Sequence, residues 1–300
     1  MADLPKLTPV SESRLLTASE MRCILGPIDP AVADAEARCR AGDVSVIPII
    51  QNLLEQGTIA QEFHTCLVEA VRSGSTHLVH QLLSFGVTVD VRSIRIAITD
   101  KALNILSLFV RYGWDINEHL EWCRPSPLSL AVGPNVDIDE EVVSWFLANG
   151  ANPDKPCGVD MTPLSVAVQY APRHIILKLL ESSGRARNGQ LLHHAAHRIL
   201  DDCGEICLLI LERCEFGVND IMYQNHAFSF ESWKVVGLGT PLHECARAGR
   251  PETARVLLDH GADLTALNSD GKLALDVARD AGNELMAQFL AKSLAIKSSL

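Results

Sequence analysis

The residues best suited to chemistry gather in one stretch of this 300-residue chain. His193, His194 and His197 stand in the run His193-His194-Ala195-Ala196-His197, and His243 follows further along. Residues four apart share a face of a helix, so His193 and His197 could present two imidazoles together. With Asp201 or Cys203 nearby, that pair would make part of a zinc set. The same cluster could instead move a proton, with His197 as general base helped by His194, Tyr170 or Asp201. A closed zinc site needs four ligands at suitable spacing, and Cys203, Cys207 and Cys214 are spaced for helix packing. Neither a metal nor a cofactor is expected. The sequence holds no Gly-x-Ser-x-Gly and no phosphate-binding P-loop. Gly237-Leu238-Gly239 is too short for a dinucleotide fingerprint, and His243-Glu244 is not completed to a His-Glu-x-x-His pair.

A second concentration lies just beyond. Tyr223, His226, Phe228, Phe230 and Trp233 crowd one short segment of a chain that is only 5% aromatic. Rings on a loop are typical interface anchors. They could equally fold back over the neighbouring elements as a small satellite core. The alternation Phe228-Ser229-Phe230-Glu231 predicts a short strand.

The elements that hold these residues are helical. In Gly239-Thr240-Pro241-Leu242-His243-Glu244-Cys245-Ala246-Arg247-Ala248-Gly249, Thr240 can cap a helix and Pro241 suits its first turn. Leu242, Cys245 and Ala246 fall on one face, small enough to admit a close neighbour, and Gly249 ends the helix. Residues 251–260 form a second amphipathic run ended by Gly261, and Asn268-Ser269-Asp270-Gly271 reads as a tight turn. The pattern restarts 33 residues after Thr240, at Leu273. Upstream, Thr162-Pro163-Leu164-Ser165-Val166-Ala167 and Ser126-Pro127-Leu128-Ser129-Leu130-Ala131 keep the register. Gln190-Leu191-Leu192-His193-His194-Ala195-Ala196 keeps the Leu, His and Ala positions, and weaker copies begin near Arg92, near Thr65 and around residues 33–42.

This pattern resembles the ankyrin repeat, whose signature is Thr-Pro-Leu-His-x-Ala at a period of 33. The resemblance implies an all-α fold, an ankyrin-repeat solenoid of stacked helix-turn-helix units with short or truncated loop hairpins. The expected units lie near 30–62, 63–89, 90–123, 124–159, 160–187, 188–237, 238–270 and 271–300. A capping helix is expected within residues 1–29, from Thr17-Ala18-Ser19-Glu20 ahead of Met21, Ile24 and Leu25. Each unit has two apolar faces and buries them only by stacking. Gln190 to Thr240 spans 50 residues, so the unit there carries an insert. Part of the excess falls at residues 200–204, between its helices, and the rest makes the long loop 217–239. The junctions from Thr65 to Arg92 and from Thr162 to Gln190 are short, so their helices should connect directly.

The resemblance also assigns roles. His193 and His243 occupy the signature His, which is structural in the family, while His194 packs or faces solvent and His197 stays free. Contact positions on the concave face map to Tyr170, His197, Arg198, Arg247 and Lys272, among others. A groove with these cations could take an acidic peptide, or it could be a plain solvated face.

Composition bounds the rest. The chain is 47% hydrophobic and 21% charged, a globular balance with an aliphatic core. Its net charge is -11, and its Lys and Arg form no long run, which disfavours direct binding to nucleic acid or anionic membranes. No apolar stretch has signal-peptide or transmembrane length. The nine scattered cysteines suit a reducing compartment, so an intracellular protein, cytoplasmic or nuclear, is expected, as a monomer.

Two functions fit. The first is a protein–protein interaction scaffold or regulatory adaptor, with the concave face and the aromatic loop 217–239 as its binding surface. The alternative is a cofactor-independent enzyme of isomerase or cyclase type, or a small-molecule binder, with a pocket near His197 beneath that loop.

Overall fold

The computed structural model describes residues 29–134 and 136–297, and the capping helix expected within residues 1–29 lies outside them. The chain divides into two compact units, Met1–Glu121 and Trp122–Leu300. Among the described residues there are helices and no strands.

The first unit contains three helix pairs. They are α1 (Pro30–Arg40) with α2 (Ile47–Glu55), α3 (His64–Arg72) with α4 (Thr76–Ser84), and α5 (Val91–Thr99) with α6 (Leu103–Arg111). Local chemistry starts these helices. Asp29 Oδ1 accepts the Ala31 amide at 2.8 Å, with Pro30 opening α1, and Asp90 Oδ1 accepts the Ser93 amide at 2.7 Å. Each cap satisfies an amide that the first turn would otherwise leave bare. The first helices α1, α3 and α5 pack side by side, and α4 packs on α6. Ala35, Cys39, Cys66, Ala70 and Ala97 are fully buried along that inner row. Small side chains there allow the close approach that the repeat requires. α4 and α5 are joined by six residues, 85–90, so the expected direct connection is a short loop instead.

The second unit begins with α7 (Leu128–Ala131) and α8 (Glu140–Ala148). It continues with α9 (Pro163–Tyr170), α10 (Arg173–Ser183), α11 (Leu191–Ala196) and α12 (Cys203–Arg213). Then come α13 (Ala227–Trp233), α14 (Pro241–Ala248), α15 (Pro251–Asp259), α16 (Ala274–Asp280) and α17 (Glu284–Lys297). The inner row runs α7, α9, α11, α14, α16, and α12–α15–α17 pack behind it. Thr162 Oγ1 accepts the Ser165 amide at 3.0 Å, while the Ser165 hydroxyl donates to the Gly189 carbonyl at 2.6 Å. One capping hydroxyl thus also ties two successive units. Gly189 has φ +83°, and a Cβ on it would lie 2.2 Å from Ser165 Oγ, so only glycine fits.

One close match to the signature folds as a short helix, and one sequence expectation needs correcting. Ser126-Pro127-Leu128-Ser129-Leu130-Ala131 matches the signature closely, yet α7 is a single turn. Gly133 and Pro134 end it, since a residue before proline is driven out of the helical region. The strand expected at Phe228-Ser229-Phe230-Glu231 is the helix α13. A lone strand there would have no neighbour for its amides and carbonyls, whereas a helix pairs its own.

No helix among the described residues is long and apolar enough to cross a membrane.

Candidate protein-binding site

The inserted loop is fastened at both ends. His193 Nε2 donates to the Asp220 carbonyl at 2.9 Å, and the Met222 amide donates to the Gly239 carbonyl at 2.9 Å. Gln190 forms a bridge: its Nε2 donates to Asp160 Oδ2 at 2.6 Å, and its Oε1 accepts the Tyr223 amide at 3.0 Å. Tyr223 takes a left-handed conformation, φ +62°, which turns the chain there. His226 caps α13, its Nδ1 facing the Ser229 hydroxyl at 2.8 Å and amide at 3.3 Å. Phe228 meets Trp122 edge to face, with ring centroids 4.7 Å apart. Downstream, the Ser269 hydroxyl donates to the Lys234 carbonyl at 2.6 Å, and Arg247 Nη2 donates to the Gly237 carbonyl at 3.1 Å.

Beneath this loop lies an open pocket of about 560 Å³. Met161, Met222, Tyr223, Trp233, Val236 and Leu238 give it an apolar wall, and Glu244 and Arg247 give it two charges. The Trp233 ring is 48% exposed and Val236 56%, which leaves apolar surface facing outward at the mouth. Tyr223 is buried, and that burial pushes its phenol up to about 12. Glu244 projects from α14 with its carboxylate largely covered. Burial raises its pKa, opposed by Arg247 and His197. Glu244 Oε2 lies 3.8 Å from both Arg247 Nε and His197 Nδ1.

The remaining expected residues take diverse places. His197 is half exposed and touches Glu244 but does not line the pocket. His194 is buried; burial pushes it down to about 3, and its Nδ1 meets Gln169 Nε2. Asp201 is fully exposed, 3.7 Å from Arg250. Tyr170 is half buried at the end of α9. None of the four groups considered for proton transfer lines the pocket beneath the loop. His193 and His243 bridge units, His243 Nε2 donating to the Lys272 carbonyl at 3.1 Å. Among the described residues no three His, Cys, Asp or Glu side chains are placed to share a metal ion. Phe230 is half buried, and Lys272 pairs with Asp280 at 2.8 Å.

Arg198 corrects the expected groove. It is fully buried, so its charge is not offered to a partner. Its guanidinium donates to Asp202 at 2.6 and 3.0 Å and to the carbonyls of Val168 and Ala171 at 2.7 and 2.8 Å. The pocket instead uses Glu244, at the variable position after the signature His. Only that position, between two signature residues, could have flagged it in the sequence.

Residues 192–299 match the family model described as ankyrin repeats in 3 copies. Over 44 residues the chain is 52% identical to "Ankyrin repeat and SOCS box protein 11" of Danio rerio, covering 15% of each protein. It is also 52% identical over 44 residues to "Putative E3 ubiquitin-protein ligase XBAT34" of Arabidopsis thaliana, covering 15% of this chain and 12% of that one. Over 59 residues it is 48% identical to "Transient receptor potential cation channel subfamily A member 1 homolog" of Caenorhabditis elegans, covering 19% of this chain and 5% of that one. The matched segments span no more than 15% of these relatives' own length. Residues 192–299 are ankyrin repeats, and the helix pairs before them follow the same helix-turn-helix pattern. Ankyrin repeats generally mediate protein–protein interaction.

Proposed function

We propose that this chain is a protein-recognition adaptor and that it takes an apolar side chain of its partner into the pocket beneath the 217–239 loop. The observation that carries this reading is the open mouth of that pocket, with Trp233 and Val236 exposed beside Glu244 and Arg247. Exposed rings held on a pinned loop lose little freedom on binding, which makes them efficient anchors. Glu244 and Arg247 would meet polar groups flanking the anchor and fix its orientation.

The test is a photo-crosslinking residue placed at Val236, with the same residue at exposed Glu252 on the outer helix as control. The expected result is a protein crosslinked from Val236 and not from Glu252, captured by the unaltered chain and by His197→Ala but lost in Trp233→Ala. If no protein is captured while a small molecule co-purifies and is lost in His197→Ala, the adaptor reading gives way to the small-molecule one.

A further inference from the structure

We propose that the first unit carries a second recognition site, a groove that binds an acidic, extended segment of a protein partner. This site is independent of the loop pocket. It is a depression of about 410 Å³ across α1, α3 and α5, bordered by Arg40, Arg72, Arg92 and Arg95. Thr65, Val68 and Ile96 add a neutral lining, and Glu36 and Glu69 are the carboxylates that line it. Four cations face two lining carboxylates, and Asp90 behind Arg92 brings the balance to four against three, a local positive site on a chain of net charge -11.

The ion pairs within the groove organise the arginines without using them up. Arg40 Nε and Arg72 Nε lie 3.1 and 3.6 Å from the same oxygen, Glu69 Oε2. Glu69 is nearly buried, while the two arginine side chains are 63% and 60% exposed. Arg92 Nε is held by buried Asp90 at 3.1 Å. Arg95 is exposed and makes no ion pair among the described residues. In the three anchored arginines the contact is made through Nε, so the terminal nitrogens remain to receive carboxylate oxygens. A guanidinium fork offers two parallel donors to a carboxylate, and anchoring it beforehand lowers the ordering cost of binding.

The spread of the arginines selects the form of the ligand. They come from three successive helices rather than converging on one point. Packed helices lie about 8–10 Å apart. A segment in the extended polyproline II conformation rises about 3.1 Å per residue with three residues per turn, so every third side chain shares a face and meets the next helix. Carboxylates at that spacing match the groove. A single phosphate would engage fewer arginines, and its double charge would meet Glu36 and Glu69 in the lining.

Fluorescence anisotropy with a labelled peptide carrying Glu at every third position tests this on the full chain. The expected result is saturable binding that weakens as salt rises, because exposed charge pairs are screened. Arg95→Ala should weaken binding about tenfold, the scale of one charge-assisted contact. Arg72→Ala should weaken it similarly, and Trp233→Ala should leave it unchanged. Arg95 is exposed and unpaired, so its replacement should preserve the thermal melt. Absence of binding overturns the proposal, as does binding indifferent to Arg95→Ala. Tighter binding of a phosphoserine peptide, inorganic phosphate or a single-stranded oligonucleotide than of the Glu peptide overturns the carboxylate assignment.

Discussion

His193 Nε2 donates a hydrogen bond to the carbonyl oxygen of Asp220 across 27 residues of chain. His243 makes the equivalent bond to Lys272 one repeat later, while its Nδ1 lies 3.1 Å from the Thr240 amide and 2.9 Å from its hydroxyl. The carbonyl can only accept, so Nε2 carries the proton and Nδ1 accepts. Each imidazole works as a neutral bridge between units, and in the first case the bridge also fixes the root of the inserted loop.

That neutrality makes stability depend on pH. Burial pushes His193 down to about 4 and His194 to about 3, and it lowers His64 and His243 as well. The unfolded chain then binds more protons than the folded one below about pH 6.5. Stability from these groups is complete above about pH 6.5 and is lost as pH falls toward the folded values. Urea denaturation should show a falling midpoint between about pH 7 and about pH 5. His193→Gln should be less stable at neutral pH and less steep in acid. A midpoint flat across that range would refute the assignment.

Arg198→Met should be among the costliest substitutions in the second unit. It strips two buried carbonyls and Asp202 of their partner. Each buried carbonyl left without its donor costs about 1–3 kcal/mol, while Asp202, 29% exposed, is partly solvated by water. Arg198→Lys should recover little, since one ammonium cannot reach Asp202, Val168 and Ala171 together. Thermal melts of the three proteins decide this, and near-wild-type melting of Arg198→Met would contradict it.

Gln190→Ala should release the loop without unfolding the repeats. The bridge from Asp160 through Gln190 to the Tyr223 amide is broken, but the helices on either side keep their packing. Hydrogen exchange should quicken over residues 221–239 while α9 and α14 stay protected. Equal acceleration throughout the unit would show that Gln190 serves the whole stack.

Two glycines should respond oppositely to alanine. A Cβ on Gly158 would stand 2.4 Å from Trp122 Nε1, forcing the indole away and disturbing its contact with Phe228. The expected cost is about 1–3 kcal/mol, with an altered near-ultraviolet aromatic signal. At Gly204 in α12 the nearest atom is Val256 Cγ2 at 3.6 Å, ordinary contact. Gly204→Ala should therefore stabilise by about 0.5 kcal/mol through backbone entropy. Denaturant titrations giving both variants the same sign would contradict this pair.

The helix pairs were legible because their letters act locally. Thr162 caps, Pro163 opens and Leu164 buries whatever else the chain does. The loop was not legible, because its conformation rests on distant partners. Phe228 and Phe230 alternate with polar residues as a strand would, but His226 supplies a cap and Trp122 supplies a ring. Arg198 stands at a contact position of the signature, yet the insert between α11 and α12 brings Asp202 close enough to bury it. Glu244 went unassigned because its role depends on the pocket roof, which no neighbour in sequence specifies. The arginine groove shows the same limit. Arg40, Arg72 and Arg95 are far apart in the chain and meet only through stacking.

Met222 and Gly239 are joined by a single backbone hydrogen bond where the loop departs and returns. The segment between them is therefore a closed excursion, leaving the stack and rejoining it at one place. A segment of other length or sequence that keeps this closing bond should leave the helix packing beneath it in place. Under the proposed adaptor reading the helix stack is the frame and this segment its exchangeable part, so grafting other segments between those two residues should change binding preference.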